Sequence, residues 1–206
     1  MVSSTLSCKS SRCPPSTRLG VRSLFLAVSL VLCAGASATA ARADDVNIKS
    51  AEMVPVEGAF LVDATFQLSL SATLEDALNR GLVLYFVTEA RLLYPRWWTL
   101  NLWNRTIASY EQLYGLSYNA LTRRYQVSVG GLQQSFEKLD EALAVIGRVH
   151  TPPLVGEDRL EKGDAYIAAV RLRLDISRLP KPFQISALAS SEWTLSSDWY
   201  RWTFTP

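Results

Sequence analysis

Between Phe60 and Leu70 the chain alternates strictly. Phe60, Val62, Ala64, Phe66, Leu68 and Leu70 interleave with Leu61, Asp63, Thr65, Gln67 and Ser69. A strand points successive side chains to opposite faces, so a period of two fits a half-buried strand and not a helix. The pattern returns later: Tyr166, Ala168, Val170, Leu172, Leu174 and Ile176 alternate with Arg171, Arg173 and Asp175. Two such segments commit much of the chain to sheet.

The segments between them extend the reading. Val46 to Val54 is placed to partner the first strand. Leu82 to Tyr94 is apolar on both faces and suits a central strand, ended by Pro95. Trp97 to Tyr110, Tyr114 to Tyr118 and Leu121 to Val129 read as further strands, with a turn at Asn119-Ala120 and a break at Gly130-Gly131. Thr151 to Gly163 is a loop. Pro180-Lys181-Pro182 forces extended or turn backbone, and Phe183 to Leu188 and Trp193 to Phe204 close the chain as strands.

Two short helices interrupt these strands. Thr73 can N-cap the first, with Asp76 three residues on, Leu74, Ala77 and Leu78 on one face, and Gly81 to end it in the left-handed conformation. Ser135 can cap the second, where Phe136, Leu139, Ala142, Leu143 and Ile146 fall at helical spacing before Gly147. Short connections favour antiparallel pairing over strand–helix–strand units. The expected fold is mainly β: an antiparallel β-sandwich of immunoglobulin-like architecture with two short helices.

Residues 1–43 read differently. Arg18 and Arg22 precede the apolar run Leu24 to Ala34, and small residues lead to Ala41-Arg42-Ala43 and then Asp44-Asp45. A basic start, a short apolar core and an A-x-A site make a secretory signal peptide cleaved near Ala43. Residues 44–206 are then one domain, expected in the periplasm. Two alternatives fit less well. A lipobox at Cys33 would want a small residue where Leu32 stands. An uncleaved membrane anchor would need about 20 apolar residues.

Removing this leader changes the composition. The chain has 21 Lys+Arg and 19 Asp+Glu, but Lys9, Arg12, Arg18, Arg22 and Arg42 all precede Asp44, so the remainder carries 16 basic residues and a net charge of −3. That excludes the basic footprint nucleic-acid binding requires. Cys8, Cys13 and Cys33 also lie in the leader. Thiol chemistry, disulfides and cysteine-ligated metals are therefore not expected, and the domain must rely on its core.

The catalytic inventory is thin. His150 is the single histidine, and no G-x-S-x-G elbow accompanies a serine. One histidine argues against zinc or copper sites. The acidic pairs Glu75-Asp76, Asp140-Glu141 and Glu157-Asp158 are sequence neighbours and do not face one another across a cleft, as glycosidic chemistry needs. No cofactor, metal or catalytic residue is assigned.

Two features favour binding. Six tryptophans, Trp97, Trp98, Trp103, Trp193, Trp199 and Trp202, all follow the leader. Trp97 and Trp98 on a strand point to opposite faces, as do Trp199 and Trp202, so one of each pair can face outward and anchor a partner. Arginine outnumbers lysine twelve to four after the leader, with Arg91, Arg96, Arg105, Arg123, Arg124, Arg171, Arg173 and Arg201 on expected strands. Guanidinium stacks on aromatic rings and forks onto oxyanions. The bland reading of both features is core packing and cross-strand pairing. The candidate interaction residues are Arg96, Trp97, Trp98, Trp199 and Arg201.

Linked blocks carry a family likeness. These are Leu74-Glu75-Asp76-Ala77-Leu78-Asn79-Arg80-Gly81 leading into Leu84-Tyr85-Phe86-Val87, then Arg96-Trp97-Trp98, Leu116-Ser117-Tyr118-Asn119-Ala120-Leu121-Thr122-Arg123, Gln134-Ser135-Phe136 with Leu139-Asp140-Glu141-Ala142-Leu143, Leu179-Pro180-Lys181-Pro182-Phe183-Gln184, and Trp193 to Trp199. Across roughly residues 45–206 the chain resembles the proteobacterial family DUF4390. The resemblance implies an exported, single-domain envelope protein without an assigned activity, from a family whose genes often neighbour a membrane sensor kinase of the nitrogen-regulation type. It brings no catalytic residues. The expectation is a non-enzymatic binding or accessory module for such a sensor. The alternatives are a periplasmic carbohydrate- or lipid-binding protein and, third, a hydrolase using two carboxylates. A membrane association is expected only through an uncleaved leader.

Overall fold

Two antiparallel sheets account for the strands in the computed structural model, which describes residues 46–95 and 104–206. In the first sheet β1 (Val46–Val56) pairs with β2 (Ala59–Leu68), and β2 pairs on its other side with β7 (Arg148–His150) and β8 (Val155–Gly156). The second has six strands. Its order is β10 (Tyr200–Phe204), β9 (Tyr166–Leu174), β3 (Leu84–Tyr94), β4 (Arg105–Asn119), β5 (Arg124–Val129) and β6 (Leu132–Phe136). The mainly β, antiparallel reading holds, and β3 is central as its two-sided apolar character required.

The alternation between Phe60 and Leu68 does what its period dictates. Val62, Ala64, Phe66 and Leu68 turn into a core shared with Leu84, Phe86 and Ala90 of β3 and Val170, Leu172 and Leu174 of β9. Each large apolar side chain so buried stabilises the fold by roughly 1.5–3 kcal/mol relative to exposure. A second cluster, with Phe60, Leu92, Val155, Leu160, Tyr166 and Ala168, fills the other end. His150, expected on a loop, ends β7 opposite Asp63 of β2, and its Nδ1 lies 3.2 Å from that carboxylate on an exposed surface.

Three helices, not two, accompany the described strands. The first, α1 (Ala72–Asn79), is capped by Ser71 and not by Thr73: the Leu74 N–H donates to Ser71 Oγ at 3.3 Å. Thr73 instead donates its hydroxyl to Glu192 at 2.7 Å. Its C-terminus is as expected. Gly81 has φ +91°, and the Leu82 and Gly81 N–H groups reach back to the Ala77 and Leu78 carbonyls at 3.0 and 2.9 Å. That double closure satisfies carbonyls the helix itself leaves open.

The other two helices correct the reading. Gln134, Ser135 and Phe136 belong to β6, so α2 (Leu139–Ile146) begins later, after Lys138, which supplies no side-chain cap. The segment expected as a strand from Phe183 is α3 (Lys181–Ala189). Pro182 sits in its first turn, where no backbone N–H is needed and the fixed φ suits a helix. Phe183 then reaches the ring of buried Trp193, 5.4 Å away, and Gln184 donates to the Ser177 and Leu179 carbonyls at 2.7 Å each. Those tertiary contacts override the short alternation that suggested a strand. Trp193 lies in a 3₁₀ turn (Ser191–Trp193), so the last strand starts only at Tyr200, and Leu121 stands in an exposed turn before β5. No helix among the described residues is long and apolar enough to cross a membrane.

One buried hydroxyl extends the β2 ladder beyond β7. Thr151 is 1 % exposed; its N–H donates to the Val62 carbonyl at 3.0 Å, and its Oγ1 accepts the Val62 N–H at 2.9 Å. Thr151→Val keeps the shape but leaves the Val62 N–H without an acceptor. It is expected to destabilise the fold by about 1–3 kcal/mol. Urea unfolding measures this as a lower midpoint at unchanged slope; an unchanged midpoint would refute it.

Candidate functional site

The outer face of the six-stranded sheet carries Arg91, Arg171, Arg173 and Arg201 of the arginines noted in the sequence. Antiparallel partners project to the same side, so the register reads directly as rows. Arg201, Ala169, Arg91 and Ser109 form one row across β10, β9, β3 and β4. Arg171, Glu89 and Glu111 form the next, and Arg173, Val87 and Leu113 the third. Continuing the β10 register by one residue sets Trp199 opposite Arg171.

Glu89 organises this face. It is only 6 % exposed, yet it is the centre of three ion pairs. Its Oε1 accepts from Arg171 at 2.7 Å and from Arg173 at 2.9 Å, and its Oε2 accepts from Arg91 at 3.0 Å. Burial pushes the carboxyl up, but hydrogen bonds from Arg173 and Arg171, with their charges, outweigh it and hold Glu89 below the ordinary carboxylate range. The Arg91 and Arg171 guanidinium carbons lie 4.6 and 4.5 Å from the Trp199 ring centroid. Such stacking favours a fixed indole by about 0.5–1 kcal/mol per contact at exposed sites.

The expected residues are placed as follows. Trp199 is half-buried on the outer face, and Arg201 is exposed beside it, without an ion pair among the described residues. Trp202 faces inward and packs against both apolar clusters, so the opposition of Trp199 and Trp202 is as read. Arg96, Trp97, Trp98 and Trp103 lie outside the described residues. The cross-strand pairing offered as the bland reading of the arginines is real for Arg171 and Arg173, while Arg91 pairs with Glu89 along its own strand. It also contributes the site's geometry.

Glu89 itself was not singled out from the sequence. Its signal was present, as the one acidic residue inside the apolar run Leu82 to Tyr94. An isolated carboxylate at the middle of a central strand demands cationic neighbours. The alternation Arg171, Leu172, Arg173 supplies two of them on one face.

The chemistry of the array is that of an anchored, cationic surface. Glu89 and Glu111 stand directly opposite on β3 and β4, with Cβ atoms about 4.5–5.5 Å apart by sheet geometry. Three guanidiniums keep Glu89 ionised, so it is unsuited to the proton-donor role a two-carboxylate hydrolase requires. Against Glu89 and Glu111, the rows present Arg91, Arg171, Arg173 and Arg201. Among the described residues no group of three His, Cys, Asp or Glu side chains converges as a metal site would.

A mainly β domain with two antiparallel sheets and a charged outer face is the class this geometry defines. The chain belongs to the family described as a domain of unknown function (DUF4390), whose model matches residues 43–203. No curated protein and no solved structure matches it.

Proposed function

We propose that this protein is a non-enzymatic binding module of the cell envelope, exported by the leader and docking through the outer face of its six-stranded sheet. The two sheets sharing one core are read as the layers of a β-sandwich, immunoglobulin-like in layering. The single observation that carries the reading is the array of Trp199 held by Arg91 and Arg171, which are themselves fixed by Glu89. A half-buried tryptophan with pre-ordered arginines is the composition of an interface anchor, since little side-chain freedom remains to be lost on binding. The proposed partner is the extracytoplasmic part of a membrane sensor.

A photocrosslinking amino acid placed at Arg201, with Lys49 on the other sheet as control site, tests this in intact cells. The expected result is an adduct with a sensor's extracytoplasmic region from position 201 and none from position 49. Equal labelling from both sites, or adducts with glycan or lipid alone, would overturn the reading.

A further inference from the structure

Where β3 ends and β4 begins, Tyr94, Arg105, Thr106 and Ile107 face Arg159, Glu161 and Tyr166 across a cleft of about 550 Å³. We propose that this cleft binds a phosphate-bearing small molecule or headgroup. The inference does not rest on the outer-face reading: of these residues only Thr106 also borders the pocket beside Glu89 and Arg91.

Local backbone builds the cleft. The β3–β4 register slips between Leu92, which faces Ala108, and Leu93, which faces Thr106, so Ile107 is the extra residue of a bulge. A bulge re-aims the side chains beside it and recurs next to binding sites. Here Arg105, Thr106 and Ile107 all line the cleft, and Ile107 packs on the second apolar cluster beneath it. Arg159 comes from the opposite side, as the last residue of a 3₁₀ turn (Glu157–Arg159).

The hydrogen-bonding inventory favours an oxyanion. Tyr166 is 3 % exposed, and its hydroxyl accepts the Glu161 N–H at 2.9 Å. Its own proton finds no acceptor among the described residues and remains to be donated. Tyr94 differs: its hydroxyl donates to Asp164 at 3.0 Å, which pins the ring 5.4 Å from that of Tyr166. Neither Arg105 nor Arg159 forms an ion pair among the described residues, whereas Arg91, Arg171 and Arg173 all share Glu89.

Among the lining residues two guanidiniums face one carboxylate, Glu161, while a second carboxylate, Asp164, accepts the Tyr94 hydroxyl beside the cleft, so free donors and not net charge favour an anion. Arg105, Arg159, Thr106 and Tyr166 together offer more donors than the two oxygens of a carboxylate absorb, and they match the three terminal oxygens of a phosphate monoester. The volume lies within the range of small-molecule sites, roughly 300–1,000 Å³, and exceeds a bare phosphate. The tyrosine rings and Ile107 form the wall for an attached apolar or ring-bearing body.

The test titrates the purified protein with phenyl phosphate by calorimetry. In parallel, co-sedimentation compares vesicles of phosphatidylcholine with vesicles also containing phosphatidic acid. Saturable phenyl phosphate binding is expected, weakened at least tenfold by Arg105→Gln with Arg159→Gln, strengthened by Glu161→Gln and unaffected by Arg148→Gln on the other sheet. Tyr166→Phe removes the free donor together with the acceptor of the Glu161 N–H and should weaken binding about threefold, a second readout if the double variant folds poorly. Sedimentation with phosphatidic acid that depends on the same arginines identifies a lipid headgroup; binding of phenyl phosphate alone identifies a soluble ligand. No saturable binding of either probe, or binding indifferent to the cleft substitutions, would overturn the proposal.

Discussion

Glu89→Gln is expected to lower the thermal midpoint by roughly 5–10 °C, the equivalent of about 2–3 kcal/mol for a domain of this size. The substitution keeps the side chain's shape and removes its charge. Arg91, Arg171 and Arg173 then converge without the one carboxylate that all three share. Breaking a buried ion pair by deleting one partner costs about 3–5 kcal/mol. The lower figure applies here because the three arginines keep between a quarter and a half of their side-chain surface in water and can partly rehydrate. A midpoint at pH 7 equal to the parent's would show that Glu89 is dispensable to the face it occupies.

The same carboxylate makes the effect depend on pH. Its folded-state pKa lies below the ordinary value, so its stabilisation is fully present above the unfolded value of about 4.3. It is lost as pH falls through the folded value. The gap between parent and Glu89→Gln should therefore be constant near neutrality and close on acidification below roughly pH 4. Thermal scans from pH 7 to pH 3 measure it. A gap that widened towards acid would contradict the sign.

The second large effect is expected from Gly147→Ala. Gly147 has ordinary right-handed backbone geometry, with φ −73°, so the constraint is space. An added Cβ would press into the Phe66 backbone carbonyl oxygen and sit 2.9 Å from Leu68 Cδ1. Leu68 could shift, but the Phe66 oxygen belongs to β2. The Phe66 N–H also donates to the Gly147 carbonyl at 2.8 Å, which ties the two backbones together. The helix end and the strand must therefore separate, at a cost of about 2–3 kcal/mol. Chemical denaturation reads it directly. Gly163→Ala makes an informative contrast: no atom crowds its Cβ, and its penalty comes only from φ +87°. A Gly147→Ala loss no larger than that of Gly163→Ala would argue against close packing as the cause.

What the sequence disclosed about this fold follows the range of each interaction. The alternation from Phe60 to Leu68, the central character of β3 and the helix stop at Gly81 are local, and each is legible from a few neighbouring residues. Misreadings arose where distant partners decide. Thr73 is drawn from the capping role by Glu192, and Lys181–Ala189 becomes helical because Phe183 and Gln184 find partners outside the segment. The candidate surface divides in the same way. The opposite facing of Trp199 and Trp202 follows from strand geometry, whereas two of the three partners of Glu89 stand 82 and 84 positions further along the chain. No local pattern selects Arg171 and Arg173 as those partners over the other arginines.

That separation governs the order in which the molecule can be assembled. When β3 and β4 have left the ribosome and met as a hairpin, the middle of β3 holds a carboxylate whose two nearest cations are still to be synthesised. Until β9 arrives Glu89 stands on an open face with Arg91 beside it, and its burial is completed only when Arg171 and Arg173 pack against it. Long-range pairing of this kind slows folding, because the intervening loop must be closed before the contact rewards it. Glu89 thus ties the last-made strands of the sheet to its centre: its set of partners is complete only when the chain carrying Arg171 and Arg173 is present.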